Sequence, residues 1–479
     1  MNPVRMWWRN YLRPTTVAEA YTHLAEHGSA ARVVSGGTDV LVELQRGIKP
    51  TQTLIDITAL DELRGVRREG DEIVFGGLAT HNDVLASRDC VETLLPLVQA
   101  CAEVGAPQIR TRGTLAGNIV TASPANDTIV PLVMLGTNVV LGSARGTRTV
   151  PLEEFITGFR STTMQPDELI THIRVRCMKP EERGVFLKLG LRRAQAISVI
   201  SLAAGIGRER DGRVHTARIA AGCVAPTIVR LLKTEAFLVG KMLDGATIAR
   251  AARMSVDEIA PIGDVRGSAE YRKDTVEVYV SQALGRIAED RCAEGLAAEP
   301  VLLDTGERSG RSPVFAGTID VTINGTPHAL KDAQRKTLLN AVRENAGLTG
   351  SKEGCAEGEC GACTMWLDGQ AVMSCLVPAP QAHGKQLTTI EGLADGAHLH
   401  PLQQAYIDNA AVQCGFCIPG MLMAGAKGLQ EFPAATLDQH QSAISGNLCR
   451  CTGYRKILDA MVSVTQDAGV SRIPDKVRV

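Results

Sequence analysis

GCAEGECGAC, residues 354–363, sets Cys355, Cys360 and Cys363 at a C-x4-C-x2-C spacing, and Cys375 follows after eleven residues. A thiolate-bound centre needs backbone amides folded closely around its sulfurs, and the glycines at 354, 358 and 361 let the chain close that tightly. A zinc ribbon would want a second C-x2-C knuckle, whereas Cys375 stands alone.

This is the spacing of plant-type [2Fe-2S] ferredoxins, so the four cysteines are candidate ligands of one cluster. A second quartet follows. Cys414 and Cys417 lie in QCGFCIPG (413–420), and Cys449 and Cys451 lie in CRCTGYRKILDAMVSV (449–464). Pro419 and Gly420 precede the apolar-periodic run MLMAGAKGL, which puts the first pair at a helix N-terminus. Thr452 is the expected N-cap of the last helix, with Ile457, Ala460, Met461 and Val464 on its buried face. Two helix N-termini aimed at one anionic centre would lower the thiol pKa values, each cysteine pair holding one iron. Zinc competes for this quartet taken alone, and the neighbouring ferredoxin spacing favours iron and sulfide.

The 479 residues suffice for about three domains, each with its own core. The 51 Lys and Arg balance the 52 Asp and Glu, which argues against nucleic acid or an anionic membrane as partner. MNPVRMWWRNYLRP has no signal-peptide apolar run, and no 18-residue apolar stretch could span a membrane, so a cytoplasmic location is expected and a disulfide framework is not. Residues 291–316 lack an apolar period and read as a linker. Before it, Val/Ile-rich runs such as ARVVSG, TLIDI, EIVFGG and NVVLGS alternate with helical stretches, TVAEAYTHLAEHG and CVETLLPLVQACAEVG among them. After it come a hairpin turning at Asn324-Gly325, a helix in TLLNAVRENAG, a strand pair around Asp368-Gly369 and, from about residue 400, helices.

VVSGGTDV (33–40) reads as a strand running through Gly36-Gly37 into a helix, a turn that offers backbone N–H groups to a pyrophosphate. It is not G-x-G-x-x-G, so a dedicated nicotinamide domain is not expected. RTRGTLAGNIVTASPANDTIVP (110–131) adds Gly113, Gly117, hydroxyls and Asp127, groups suited to phosphates and a ribose or ribityl hydroxyl. The bland alternative is a glycine turn with a capping aspartate. His398 and His400 in AHLHP read as solvated rather than ligating, and His81 and His172 receive no role.

Residues 317–465, with GCAEGECGAC, QCGFCIPG and GNLCRCTGY, resemble the two-cluster iron-sulfur subunit of the molybdenum hydroxylases, the xanthine dehydrogenase, aldehyde oxidoreductase and aerobic carbon monoxide dehydrogenase family. Residues 10–290, with the two glycine loops in order, resemble that family's flavin subunit. The resemblance implies an α+β multidomain chain. It would comprise a vanillyl-alcohol-oxidase-type FAD domain (1–180), a C-terminal flavin-subunit domain (181–290), the linker (291–316), a β-grasp ferredoxin-like domain (317–394) and a four-helix [2Fe-2S] domain (395–479).

The same resemblance assigns FAD contacts to Val33, Val34, Ser35, Gly36, Gly37, Thr38, Asp39, Thr114, Gly117, Asn118, Thr121 and Asp127, and places Ile170 and Lys188 beside the flavin ring. Gln413 would touch the pterin of a molybdenum cofactor carried by a partner; Ile418 stands where threonine is usual and Ser35 where glycine or alanine is common. Implied partners are a molybdopterin-binding catalytic subunit, in a dimer of heterodimers, and an electron acceptor that is NAD, oxygen or a quinone. Substrate hydroxylation would occur on the partner, and electrons would pass through both clusters to FAD. A self-contained flavin and iron-sulfur oxidoreductase is the alternative.

Overall fold

The computed structural model describes residues 8–306 and 313–466. The first seven residues, part of the expected linker (307–312) and the end of the helical segment (467–479) lie outside the described residues.

Thr53–Asp56 is the middle strand of a small parallel sheet, flanked by Asn10–Leu12 and Ala31–Val34, and it is buried along its whole length. Helix Val17–His27 lays Ala20 and Leu24 on this sheet and starts where Thr16 Oγ1 accepts from the Glu19 amide. A five-stranded antiparallel sheet follows, with Leu169–Arg176 at its centre between Glu72–Gly76 and Asn138–Ser143. The helical stretch 90–105 is divided at Leu94 between helices Arg88–Thr93 and Leu95–Glu103, because Pro96 fits only the first turn of a new helix. Next, a four-stranded antiparallel sheet led by Glu182–Gly190 and Ser198–Arg208 is backed by helix Ala269–Ala288.

In the last third, Ile319–Ile323, Thr326–Leu330, Thr364–Leu367, Gln370–Met373 and Gln386–Thr388 form a mixed sheet that grips helix Leu338–Glu344, the β-grasp arrangement. Both hairpins turn through left-handed pairs, Asn324 and Gly325 (φ 51° and 79°) and Asp368 and Gly369 (φ 48° and 75°). Helices Pro401–Asp408, Ile418–Glu431, Leu437–Ala443 and Arg455–Gln466 complete the described chain.

One expectation is corrected, and one segment packs more closely than its sequence shows. The segments do not each keep a private core: Trp8, Val34, Leu41, Leu44 and Leu54 of the flavin part pack in one cluster with Val321, Leu338, Cys363 and Cys375 of the ferredoxin part. Nor is the described part of 291–316 a loose tether. Val301 and Leu303 are buried, the Leu303 carbonyl accepts from the Ala371 amide, and Glu431 accepts from the amides of Leu302 and Leu303. A connecting strap held by packed side chains and a few backbone bonds needs no apolar period, so its packing leaves no periodic signal in the sequence.

Candidate redox centres and flavin cavity

In the 354–363 loop the Cys355 thiol touches those of Cys360 and Cys375, and Cys375 touches Cys363, so the first quartet converges. The amides of Glu357 and Glu359 point at Cys355 Sγ, at 3.4 and 3.3 Å. These donors, with the contacts to Cys360 and Cys375 first, hold the Cys355 thiol far below its usual range. Gly361 has φ 68°, and a Cβ there would lie 2.4 Å from the Gly446 carbonyl oxygen. The loop is therefore a cage of thiolates and inward amides, the donor chemistry that a [2Fe-2S] cluster requires.

The second quartet converges too. Cys414 touches Cys451 and Cys417 touches Cys449, so contacts run across the two motifs. Helix Ile418–Glu431 begins at Cys417 as its N-cap, as the sequence suggested. The last helix departs from expectation, beginning at Arg455 rather than after a Thr452 cap. Thr452 instead serves the sulfur: its Oγ1 lies 3.1 Å and its amide 3.5 Å from Cys449 Sγ. Burial works against the Cys449 thiolate, yet these donors, together with the Cys451 amide and the Cys417 contact, outweigh it and lower the pKa. Cys417 goes the other way, raised by burial and by Cys449, so a helix start does not lower every thiol. On the expected buried face Ile457, Ala460 and Met461 are buried and Val464 is half-buried. Gln413, Cys414 and Cys451 are exposed, and so are the apolar side chains next to them in sequence, Val412, Phe416 and Leu448.

A cavity of about 870 Å³ opens between the two glycine loops, within the range of cofactor pockets. Its lining includes Val33, Ser35, Gly36, Gly37, Thr38, Asp39, Thr114, Gly117, Asn118, Thr121, Asp127 and Ile170. Thr114 Oγ1 accepts from the Gly117 amide and so starts helix Leu115–Thr121. Asp39 lines the cavity with its residue surface exposed there, and desolvation by the surrounding walls, reinforced by Glu43, raises its carboxyl. Two of the expected contacts do not line the cavity: Val34 turns into the shared core, and Lys188 stands one residue back from it, its ammonium paired with the lining residue Asp127 at Oδ2, 2.6 Å away. Asp127 also accepts from Ser198 Oγ at 2.5 Å, so both its oxygens are engaged by protein.

The sequence reading missed residues supplied from a distance. Glu357, Gly358, Glu359 and Leu376, from the first thiolate cage, wall the flavin cavity. Gln381 donates to the Ser35 carbonyl at 2.9 Å and accepts from Arg112. Glu43 joins Arg32 and Arg160 on the cavity wall. No local pattern marks a lone Gln or Glu whose partner lies on another element. His400 Nδ1 accepts from the Leu402 amide and caps helix Pro401–Asp408, a structural role where a solvated one was expected.

Residues 5–175 match the family described as FAD binding domain in molybdopterin dehydrogenase, and 186–287 the CO dehydrogenase flavoprotein C-terminal domain. Residues 321–389 match the 2Fe-2S iron-sulfur cluster binding domain and 389–462 the [2Fe-2S] binding domain, which removes the zinc alternative. The nicotine 6-hydroxylase small subunit of Paenarthrobacter nicotinovorans is 44% identical over 158 residues, 33% of this chain and 95% of that protein. The carbon monoxide dehydrogenase medium chain of Hydrogenophaga pseudoflava is 32% identical over 284 residues, 59% of this chain and 98% of that one. A solved structure of carbon monoxide dehydrogenase from the same organism superposes with a TM-score of 0.57 at 32% identity, covering 60% of this chain and 99% of that chain.

Proposed function

The chain belongs to the molybdenum hydroxylase family, with a flavin part and a two-cluster iron-sulfur part in one polypeptide, and from that premise we propose that it is the electron-transfer subunit of a heteromeric hydroxylase. Its electrons would come from a molybdopterin-binding partner, pass through the helical-part and ferredoxin-part clusters to FAD, and leave to an external acceptor: NAD, oxygen or a quinone. FAD, when bound, exchanges electrons singly on one side and in pairs on the other.

The observation that carries this reading is the backbone bond between the two cages: the Leu448 amide, next to Cys449, donates to the Cys360 carbonyl at 2.9 Å. Cys360 closes the loop whose Glu357–Glu359 stretch walls the cavity. The centres would thus succeed one another from the surface at Cys414 and Cys451 to the flavin cavity. The chain's own residues have the supporting roles. Cys355, Cys360, Cys363 and Cys375 would hold one cluster, and Cys414, Cys417, Cys449 and Cys451 the other. Residues 35–39 and 114–121 would hold FAD, with Ile170 against it and Lys188 holding Asp127 in place by their ion pair. Gln413 and the exposed apolar residues Val412, Phe416 and Leu448 would meet the partner, the whole assembling as a dimer of heterodimers.

The test is affinity purification of the chain from its native cells, followed by metal and flavin analysis. A molybdenum-containing large chain in equimolar amount, with about four irons and one FAD per chain, is the expected result. A chain that retains both clusters and FAD but never brings molybdenum with it supports the self-contained oxidoreductase instead.

A further inference from the structure

Both amides that point at Cys355 Sγ belong to glutamates whose side chains are held by arginines of the flavin part. Arg46, which follows the first glycine loop and helix Val40–Gln45, donates from Nε and Nη2 to the two carboxylate oxygens of Glu357, each at 2.8 Å. Arg192, between strands Glu182–Gly190 and Ser198–Arg208, donates from Nη2 to Glu359 Oε2 at 2.6 Å. Gly358, between the two glutamates, has φ 76°, and a Cβ there would lie 2.4 Å from Leu376 Cδ1. The loop is therefore wedged at its middle and tied on either side. It needs such ties, because Ala356 at φ 58° holds a left-handed backbone that alanine adopts only at a cost.

We propose that Arg46 and Arg192 set the reduction potential of the ferredoxin-part cluster, by anchoring Glu357 and Glu359 so that their amides stay directed at Cys355 Sγ. The proposal rests on Cys355, Cys360, Cys363 and Cys375 binding a [2Fe-2S] cluster. One-electron reduction adds a negative charge spread over iron and sulfur, so amides donating to a ligand sulfur stabilise the reduced form more than the oxidised one. The four paired side chains are 31–56% exposed, and pairs so open to water add little to stability. What they add is direction. All four are positioning residues: none takes an electron, and each acts through the backbone that cradles Cys355. Charge and position predict opposite signs for the glutamates. Deleting two carboxylates near the cluster raises its potential by electrostatics alone, whereas freeing their amides lowers it.

The experiment is an anaerobic redox titration of the full chain, following the paramagnetic signals of both reduced clusters, with the ferredoxin-part signal assigned as the one altered in Cys375→Ser. Glu357→Ala combined with Glu359→Ala should keep the iron and labile sulfide content. It should reduce the ratio of reduced to oxidised ferredoxin-part cluster roughly tenfold at fixed potential, a downward shift of about 59 mV for one electron, while the other signal stays in place. Deuterium couplings at that cluster after exchange into heavy water should weaken in the same variant. Arg46→Lys combined with Arg192→Lys keeps both positive charges but loses the planar fork that spans a carboxylate, and its potential should fall in the same direction.

A potential that stays in place or rises in the fully loaded glutamate variant overturns the proposal, as does an equal fall at both clusters or a fall with unchanged deuterium couplings. If the glutamate variant loses its iron, the lysine variant decides: an unmoved potential there overturns the proposal. Wild-type protein lacking a ferredoxin-part signal would overturn the two-cluster reading itself, an outcome distinct from two normal signals that ignore these four side chains.

Discussion

The Asn447 side-chain amide donates to the Gly361 carbonyl at 2.9 Å, tying the segment before Cys449 to the loop between Cys360 and Cys363. Its Oδ1 accepts from Gln108 Nε2 at 2.8 Å, so one buried side chain joins both thiolate cages to the flavin part. Asn447→Ala removes both bonds and strands the Gln108 amide, while the Gly361 carbonyl keeps the Thr364 amide and hydroxyl as donors, at a cost of about 1–3 kcal/mol. The expected outcome is a lower unfolding temperature with faster iron loss from both clusters, measured by calorimetry and chelator release. Loss from the helical part alone would mean that the tie does not couple the two cages.

Gly36 tests the contact between the two glycine loops. A Cβ at this position would lie 2.0 Å from the Arg112 carbonyl oxygen, in backbone rather than in a side chain that could swing away. Gly36→Ala must separate the loops, an overpacking cost of about 1–3 kcal/mol, which weakens FAD affinity by roughly ten- to a hundredfold. The flavin-to-iron ratio of the purified protein should fall while its iron content holds; an unchanged ratio contradicts the placement of FAD between these loops.

These positions also show where the sequence was legible. The cysteine spacings, the Asn324-Gly325 and Asp368-Gly369 hairpins and the strand after which Gly36 turns are local signals, and each sits where its pattern puts it. The start of the last helix was not legible at Thr452, because a hydroxyl that caps a helix and one that donates to sulfur look alike in a sequence. Nor was Val34, since a strand residue beside a glycine turn faces either the cavity or the core, and only the ferredoxin part packed beneath it decides. Glu431, Gln381 and Asn447 act across more than a hundred residues of chain. Their roles follow from packing that no window of sequence contains.

Lys188 and Asp127 form an ion pair with side chains only 4% and 8% exposed. Burial raises the Asp127 carboxyl, and Lys188 is the largest influence opposing that rise. Lys188→Met leaves a carboxylate without its counter-charge, and breaking such a buried pair costs about 3–5 kcal/mol. Asp127→Asn in the same chain should recover much of the loss, because the charge then disappears with its partner. Chemical unfolding of the two single variants and the double variant measures the coupling; additive losses would show that the pair is not the source.

His81 gives a pH dependence of defined sign. Its ring is buried next to Cys101, 3.7 Å from Nδ1 to Sγ, and burial, with Arg110 adding, pushes its pKa from the ordinary 6.5 down to about 3. Above pH 6.5 the ring is neutral in folded and unfolded chains alike, so it contributes no pH dependence there. As the pH falls from 6.5 toward 3, the unfolded chain takes up a proton that the folded chain refuses, and stability drops by about 1.4 kcal/mol per pH unit. Between pH 7.5 and 5 this group should account for about 2 kcal/mol of lost stability. His81→Gln removes that proton from the balance and should flatten the acid side of the stability curve by this amount. His440, buried and pushed down to about 4, acts with the same sign and remains in the variant, so a residual slope is expected. Equal acid slopes in wild type and His81→Gln, measured by chemical unfolding at each pH, would show that the His81 ring takes up its proton without unfolding.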